Sequence, residues 1–192
     1  RDVKPKNVLL SAYDEAKLAD FGLALYVGRK FFSEQEMPLA GTPSFWAPEL
    51  ILGVEGPVHE VAFDPFKTDA YSFGVTLLLM LLGEDCADVQ ADDDDCTWMI
   101  PRSWQNDDQR TAELTQQVQR GRLSPEALDL LEKVMTLRQS KRSRLANPEI
   151  RQHDFFLKAL NCQDLAAHLL GEASRRSISV PSPVRRSQPS HP

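Results

Sequence analysis

A helix that is apolar on nearly every side cannot stand alone in water, and residues 69–83, "DAYSFGVTLLLMLLG", spell one. Such a helix has to be wrapped by other elements, so the rest of the chain must supply a helical surround. Thr68 or Asp69 is placed to cap its start, and Gly83 to stop it. Its apolar run, Val75 to Leu82, is less than half of the ~20 residues that cross a bilayer, so it reads as a core helix and not a membrane segment.

At 192 residues and 42% hydrophobic, the chain has enough material for one globular domain with a sizeable core. A net charge of −6 argues against binding to nucleic-acid phosphates, which wants a basic surface. Cys86, Cys96 and Cys162 are odd in number and lack metal-ligand spacing. They read as reduced thiols, and the expected location is cytoplasmic or nuclear.

Around the core helix the pattern is legible in pieces. Val8-Leu9-Leu10 and Ala16-Lys17-Leu18-Ala19, separated by "SAYDE", predict a small β-hairpin. Residues 22–48 show no sustained period and read as a long, functional loop. Residues 84–107 are acidic, include the run Asp92 to Asp95, and read as an exposed insert. In "LSPEALDLLEKVM", Ser124 caps, Pro125 opens and Glu126 faces the positive helix end. Leu128, Leu131, Val134 and Met135 fall on one face. Asn147, Pro148 and Glu149 repeat the cap-Pro-Glu pattern, and a short helix is expected over 161–171. Residues 172–192, rich in Ser, Pro and Arg, are disordered by composition. Within them Ser182 precedes a Pro and Ser179 follows Arg176 by three, two short patterns of the kind kinases modify.

The chemistry sits in ordered motifs. Asp2, Lys4 and Asn7 open the chain, Asp20-Phe21-Gly22 follows thirteen residues after Asn7, and "GTPSFWAPE" occupies residues 41–49. With the "D.YSFG" start of the core helix and a final Arg-Leu followed by "HDFF", these pieces resemble the C-terminal lobe of a eukaryotic protein kinase of the Ser/Thr type. The resemblance covers residues 1 to about 156, with residues 1–160 as the partial domain. One such tripeptide alone would say little; five motifs in the family's order say much more. The fold it implies is mainly α: a small β hairpin plus a helical bundle.

The role that the resemblance implies for each residue rests on the logic of phosphoryl transfer, which needs positioning and charge stabilisation more than covalent chemistry. Asp2 takes or orients the proton of the attacking hydroxyl, and Lys4 balances charge on the phosphoryl group. Asn7 and Asp20 hold Mg2+ through oxygen ligands, with ATP as the donor. Phe21 packs beneath the site, and Gly22 gives the backbone freedom to turn into the activation segment. Thr42 bridges Asp2 and Lys4, a pairing that marks Ser/Thr over Tyr acceptors. Asp69 is structural. Glu49 pairs with a buried Arg; counting back nine from His153 gives Arg144, with Arg142 as the alternative. Losing either partner of such a pair costs about 3–5 kcal/mol.

Three departures from the family pattern matter. Pro38 stands where many relatives carry a phosphorylatable Thr, so Arg1, which there receives the phosphate, is expected to meet Glu34, Glu36 or a phosphorylated Ser33. Lys6 and Leu79 replace the carboxylates that basophilic relatives use for substrate arginines, which favours acidic or neutral sequence near the acceptor. Leu23 is of the kind that goes with Ser acceptors over Thr. Finally, no aromatic residue follows Phe156, unlike kinases whose tails grip the N-lobe.

No Gly-rich phosphate loop or N-lobe is recognisable in the chain, and it begins inside the catalytic loop, so the N-lobe is expected elsewhere in the same polypeptide. Taken alone, such a lobe should be a poor enzyme that exposes apolar surface on its core helix. The favoured function is the C-terminal part of an ATP-dependent Ser/Thr protein kinase acting on protein substrates. The alternative is a truncated, non-catalytic lobe that binds other proteins.

Overall fold

The computed structural model describes residues 1–13, 15–26, 39–55, 63–83, 104 and 106–158. Ser33, Glu34, Glu36 and Pro38, the acidic run, the three cysteines, the helix expected over 161–171 and the tail at 172–192 all lie outside the described residues. The chain divides into two units, Arg1–Phe155 and Phe156–Pro192.

The first unit is mainly helical, with one small antiparallel sheet, as the resemblance implies. A 3-10 turn, Pro5–Asn7, leads into β1 (Val8–Leu10), which pairs with β2 (Ala16–Leu18) in the register Val8↔Leu18, Leu9↔Lys17 and Leu10↔Ala16. A second 3-10 turn, Pro43–Phe45, precedes α1 (Pro48–Glu55). The helices α2 (Pro65–Leu82), α3 (Asp107–Gln119), α4 (Pro125–Val134) and α5 (Pro148–Arg151) complete it.

Helix α2 is the central element, but it starts earlier than its apolar pattern suggests. Asp64, not Thr68 or Asp69, is its cap: Asp64 Oδ1 accepts from Phe66 N at 3.1 Å. Pro65 fits the first helical position because its missing N–H has no partner to lose there. Thr68 spends its hydroxyl on the Pro65 carbonyl at 2.9 Å instead. Ala70, Tyr71, Val75, Leu78 and Leu79 are buried and Gly83 ends the helix, as expected. The expectation of burial on every side fails in the last turn, where Met80 is 59% and Leu81 37% exposed.

The close partner of α2 is α4. A Cβ built on Gly74 would stand 2.2 Å from Met135 Cγ and 3.0 Å from Val134 Cγ2, so only glycine lets the two helices approach this closely. Helix α4 begins as its sequence indicates, with Ser124 Oγ accepting from Ala127 N at 3.1 Å. Its buried stripe is Ala127, Leu130, Leu131 and Val134, continued by Met135; Leu128 is only half-buried, at the margin of the face expected to carry it. Asn147 precedes α5, but its side chain makes no capping bond and turns toward Glu149 Oε1 at 3.4 Å.

Helix α3 escaped the sequence reading. Asn106 caps it, accepting from Gln109 N at 2.8 Å, with Asp107 and Asp108 in the first turn. Trp104, within the segment expected to be exposed, is instead 6% exposed, and its Nε1 donates to Glu113 Oε2 at 2.5 Å, while Asn106 is exposed. Arg110, 3% exposed, donates to the Met135 carbonyl at 2.7 Å and pairs with Asp107, which ties α3 to the C-terminal end of α4.

Candidate active site

Asp2 lies where three elements meet. The 3-10 turn after it brings Asn7 back so that Asn7 Nδ2 donates to the Asp2 carbonyl at 2.8 Å and to Asp2 Oδ2 at 3.1 Å. The Asn7 carbonyl accepts from Ala19 N at 2.8 Å, which sets Asp20, at the exit of β2, beside the loop. Helix α2 supports the same loop from below. Asp69 Oδ1 lies 3.3 Å from the Arg1 main-chain nitrogen, and Thr76 Oγ1 donates to the Val3 carbonyl at 3.3 Å.

Residue 42 closes the constellation. Thr42 N and Thr42 Oγ1 donate to Asp2 Oδ1 at 2.9 and 2.8 Å, and Thr42 Oγ1 accepts from Lys4 Nζ at 2.7 Å. Lys4 Nζ also lies 2.8 Å from Asp2 Oδ2. Gly41 makes this possible: its φ is +105°, and an added Cβ would fall 2.4 Å from the Arg1 carbonyl oxygen. Both the left-handed backbone and the close approach exclude any other residue.

Each Asp2 oxygen therefore has two donors: Thr42 N and Oγ1 meet Oδ1, and Asn7 Nδ2 and the Lys4 ammonium meet Oδ2. Burial pushes the Asp2 pKa up more than any other single influence. The hydrogen bonds from Lys4 and Thr42 and the Lys4 charge together outweigh it and hold the carboxyl below its usual value. Asp2 is an anion at neutral pH, oriented by its neighbours and only 10% exposed at its side chain.

Asp20 is exposed and has a φ of 56°, a left-handed conformation that Asp tolerates better than most residues. Its Oδ1 accepts from Gly22 N at 3.1 Å. Gly22 does not take a left-handed φ; an added Cβ would stand 3.2 Å from Asp20 Oδ1, a tight contact with a side-chain atom. Phe21 does not pack beneath the site; it is 67% exposed. Asn7, with Nδ2 committed to Asp2, offers an amide oxygen, and Asp20 a carboxylate. Two oxygen donors of this kind would suit a magnesium ion, with Asn7 and Asp20 as the residues to hold it. Arg1 Nε donates to the Leu23 carbonyl at 2.8 Å, so Arg1 reaches the start of the activation segment.

The buried ion pair beneath the site is not the one expected. Glu49 pairs with Arg142, not Arg144, through Nη1–Oε1 at 2.6 Å and Nη2–Oε2 at 3.0 Å. Arg142 also donates to the carbonyls of Thr136, Lys67 and Leu137 at 2.9, 3.1 and 3.2 Å, so five N–H groups meet five acceptors. Its guanidinium carbon sits 4.9 Å from the centre of the Tyr71 ring, and burial holds the Tyr71 hydroxyl well above its ordinary pKa. Arg144 instead binds Asp64 Oδ2 through Nε and Nη2, at 3.0 and 2.5 Å. Two arginines two residues apart face different carboxylates, because only Arg142 enters the core. His153, the residue from which Arg144 was counted, is buried with Nε2 2.8 Å from Asp129 Oδ2.

Comparison with known proteins identifies the family of the chain. The sequence model of the family described as Protein kinase domain matches residues 1–156. A probable serine/threonine-protein kinase of Dictyostelium discoideum is 29% identical over 167 residues, 84% of this chain and 16% of that protein. Serine/threonine-protein kinase CHK1 of Saccharomyces cerevisiae is 38% identical over 85 residues, 44% of this chain and 15% of its own length. Serine/threonine-protein kinase PknK of Mycobacterium bovis is 41% identical over 83 residues, 43% of this chain and 7% of that protein. The chain thus spans less than a fifth of each of these relatives. Among the described residues no helix is long and apolar enough to cross a membrane. From the family match over residues 1–156, the chain belongs to the protein kinase domain family, whose members in general use ATP and act on proteins.

Proposed function

We propose that this chain supplies the catalytic lobe of an ATP-dependent Ser/Thr protein kinase. The observation that carries the reading is Thr42 Oγ1, held between Lys4 Nζ and Asp2 Oδ1 at 2.7 and 2.8 Å. That bridge joins the activation segment to the catalytic loop and leaves both charges aimed at one place. Asp2 accepts a hydrogen bond from the substrate hydroxyl and takes its proton as the oxygen bonds to the γ-phosphorus of ATP; ADP departs. Lys4 stabilises the charge on the phosphoryl oxygens. Asn7 and Asp20 are the residues that would hold Mg2+, which would supply neutralising charge for the phosphate oxygens.

Lys6, exposed in the same turn as Asn7, disfavours an Arg near the acceptor, and Leu23 beside the site favours Ser. The test is transfer of radiolabelled phosphate from ATP by the intact protein to matched peptides with Ser, Thr or Tyr acceptors. Label on Ser above Thr, with none on Tyr, is expected. Label on Tyr, or binding of the peptides without any transfer, would overturn the reading.

A further inference from the structure

Helix α2 carries a polar stripe, although it is the apolar centre of the lobe. Asp69, Ser72 and Thr76 follow one another at helical spacing, on the face turned to the catalytic loop and the activation segment. Asp69 meets the Arg1 main-chain nitrogen at 3.3 Å, and Thr76 Oγ1 shares its proton between the carbonyls of Ser72, at 2.8 Å, and Val3, at 3.3 Å. Ser72 reaches the other side of the site: its Oγ donates to the Phe45 carbonyl at 2.7 Å. That is not the bond a helical serine makes by default, which runs back to the carbonyl four residues earlier. Here that carbonyl, of Thr68, is the farther one at 3.2 Å. Ser72 and Phe45 are both 6% exposed, so little water competes for either group. Alanine would suit the helix better and bury no polar atom; what the hydroxyl adds is this bond across to the activation segment.

Phe45 is joined to Thr42 by a short, stiff stretch of chain. It closes the 3-10 turn Pro43–Phe45, with its N donating to the Thr42 carbonyl at 2.9 Å and Trp46 N donating to the Pro43 carbonyl at 3.1 Å. The Pro43 ring fixes one of the backbone angles in between. At the near end of this turn Thr42 N and Oγ1 hold Asp2 Oδ1 at 2.9 and 2.8 Å. On the opposite side Val3, next to Asp2, leans on the same helix through Thr76. Both halves of the Thr42–Asp2 contact are thus referred to one face of α2, and Ser72 supplies the tie on the Thr42 side. Hydrogen bonds weaken steeply as their geometry slips, so a turn released from α2 orients Asp2 less well.

We propose that Ser72 is a positioning residue for phosphoryl transfer: through the Phe45 carbonyl it sets where Thr42 stands, and through Thr42 it orients Asp2. The transfer itself rests on the kinase reading above. The test measures kcat of the intact protein with ATP, Mg2+ and a Ser-acceptor peptide, in a cycle of Ser72→Ala, Thr42→Val and the double variant. In the parent, Ser72→Ala should lower kcat about threefold to tenfold with KM for ATP unchanged. In the Thr42→Val background the same change should lower it about twofold or less, because only the main-chain bond of residue 42 remains to be misplaced. A purely structural loss would lower both backgrounds by the same factor. Ser72→Cys refills the space but donates weakly, so it should fall with Ser72→Ala. Thr68→Val deletes a buried hydroxyl of the same helix that serves only the Pro65 carbonyl, and should leave kcat unchanged. A parent protein that transfers no phosphate would overturn the kinase reading and this role with it. Transfer by the parent, with Ser72→Ala at full kcat or with equal losses in the two backgrounds, would overturn the Ser72 role alone. A Ser72→Cys protein at the parent's rate would do the same, by tracing the loss to a cavity.

Discussion

Arg142→Gln should be among the most damaging single changes this lobe can suffer, and for a reason that can be counted. Arg142 is 1% exposed and Glu49 7% exposed, so neither partner has water to fall back on. Removing the guanidinium strands the Glu49 carboxylate and frees three part-buried carbonyl oxygens that Gln cannot all reach. Breaking a buried pair from one side costs about 3–5 kcal/mol. A domain of this size loses ~2–4 °C of Tm per kcal/mol, which puts the drop at about 6–20 °C. Arg142→Lys should recover little, because an ammonium has three donors at one point and not five in a plane. The assay is urea unfolding of the intact protein, with double-mutant cycles that combine Glu49→Gln with Arg142→Gln and separately with Arg144→Gln. A coupling of about 2 kcal/mol or more is expected for Glu49 with Arg142, and under ~0.5 kcal/mol for Glu49 with Arg144. Reversed couplings, or two negligible ones, would refute the reasoning.

Other consequences are equally open to measurement. Thr42→Val keeps the shape and the main-chain bond to Asp2 but deletes the Oγ1 bridge; kcat for peptide phosphorylation should fall about tenfold or more, and Thr42→Ser should retain most of it. Because the folded-state pKa of Asp2 lies below its unfolded value, its ionised form stabilises the fold above the unfolded pKa and loses that contribution as pH falls through the folded one. The stability gap between the parent protein and Asp2→Asn should therefore hold from pH 7 to about 5 and close only below ~4, as read by urea midpoints. Gly74→Ala should cost about 1–3 kcal/mol, since the new methyl meets Met135 and Val134; pairing it with Met135→Ala should recover part of the loss.

How far the sequence could be read depended on whether a signal was local. The hairpin, the Ser124-Pro125-Glu126 start of α4 and the Gly83 stop of α2 are set by residues within one turn, and all stand where their chemistry puts them. The start of α2 was missed because the cap lies at Asp64, four residues before Thr68 and well ahead of the apolar run that begins at Val75. Helix α3 buries only Arg110 and Leu114, so it has no apolar stripe to detect; Asn106 followed by two aspartates was the one usable sign. Counting along the chain could not separate Arg142 from Arg144, because the choice depends on which side chain the packed core admits. For the site, motif spacing brought Asp2, Lys4, Asn7 and Thr42 to attention, and the structure places Lys4, Asn7 and Thr42 each within hydrogen-bond reach of Asp2. The exposure of Phe21, and the close approach of Asp20 Oδ1 to Gly22, are matters of three-dimensional neighbours that no spacing shows.

The central claim is that Asp2 serves phosphoryl transfer, and the most direct measurement is the turnover of the intact protein before and after Asp2→Asn, with ATP, Mg2+ and a Ser-acceptor peptide. A fall in kcat of about 10²–10⁴ is expected while the protein stays folded, because the group that receives the hydroxyl proton has gone. A folded Asp2→Asn protein that turns over within a few-fold of the parent would contradict it.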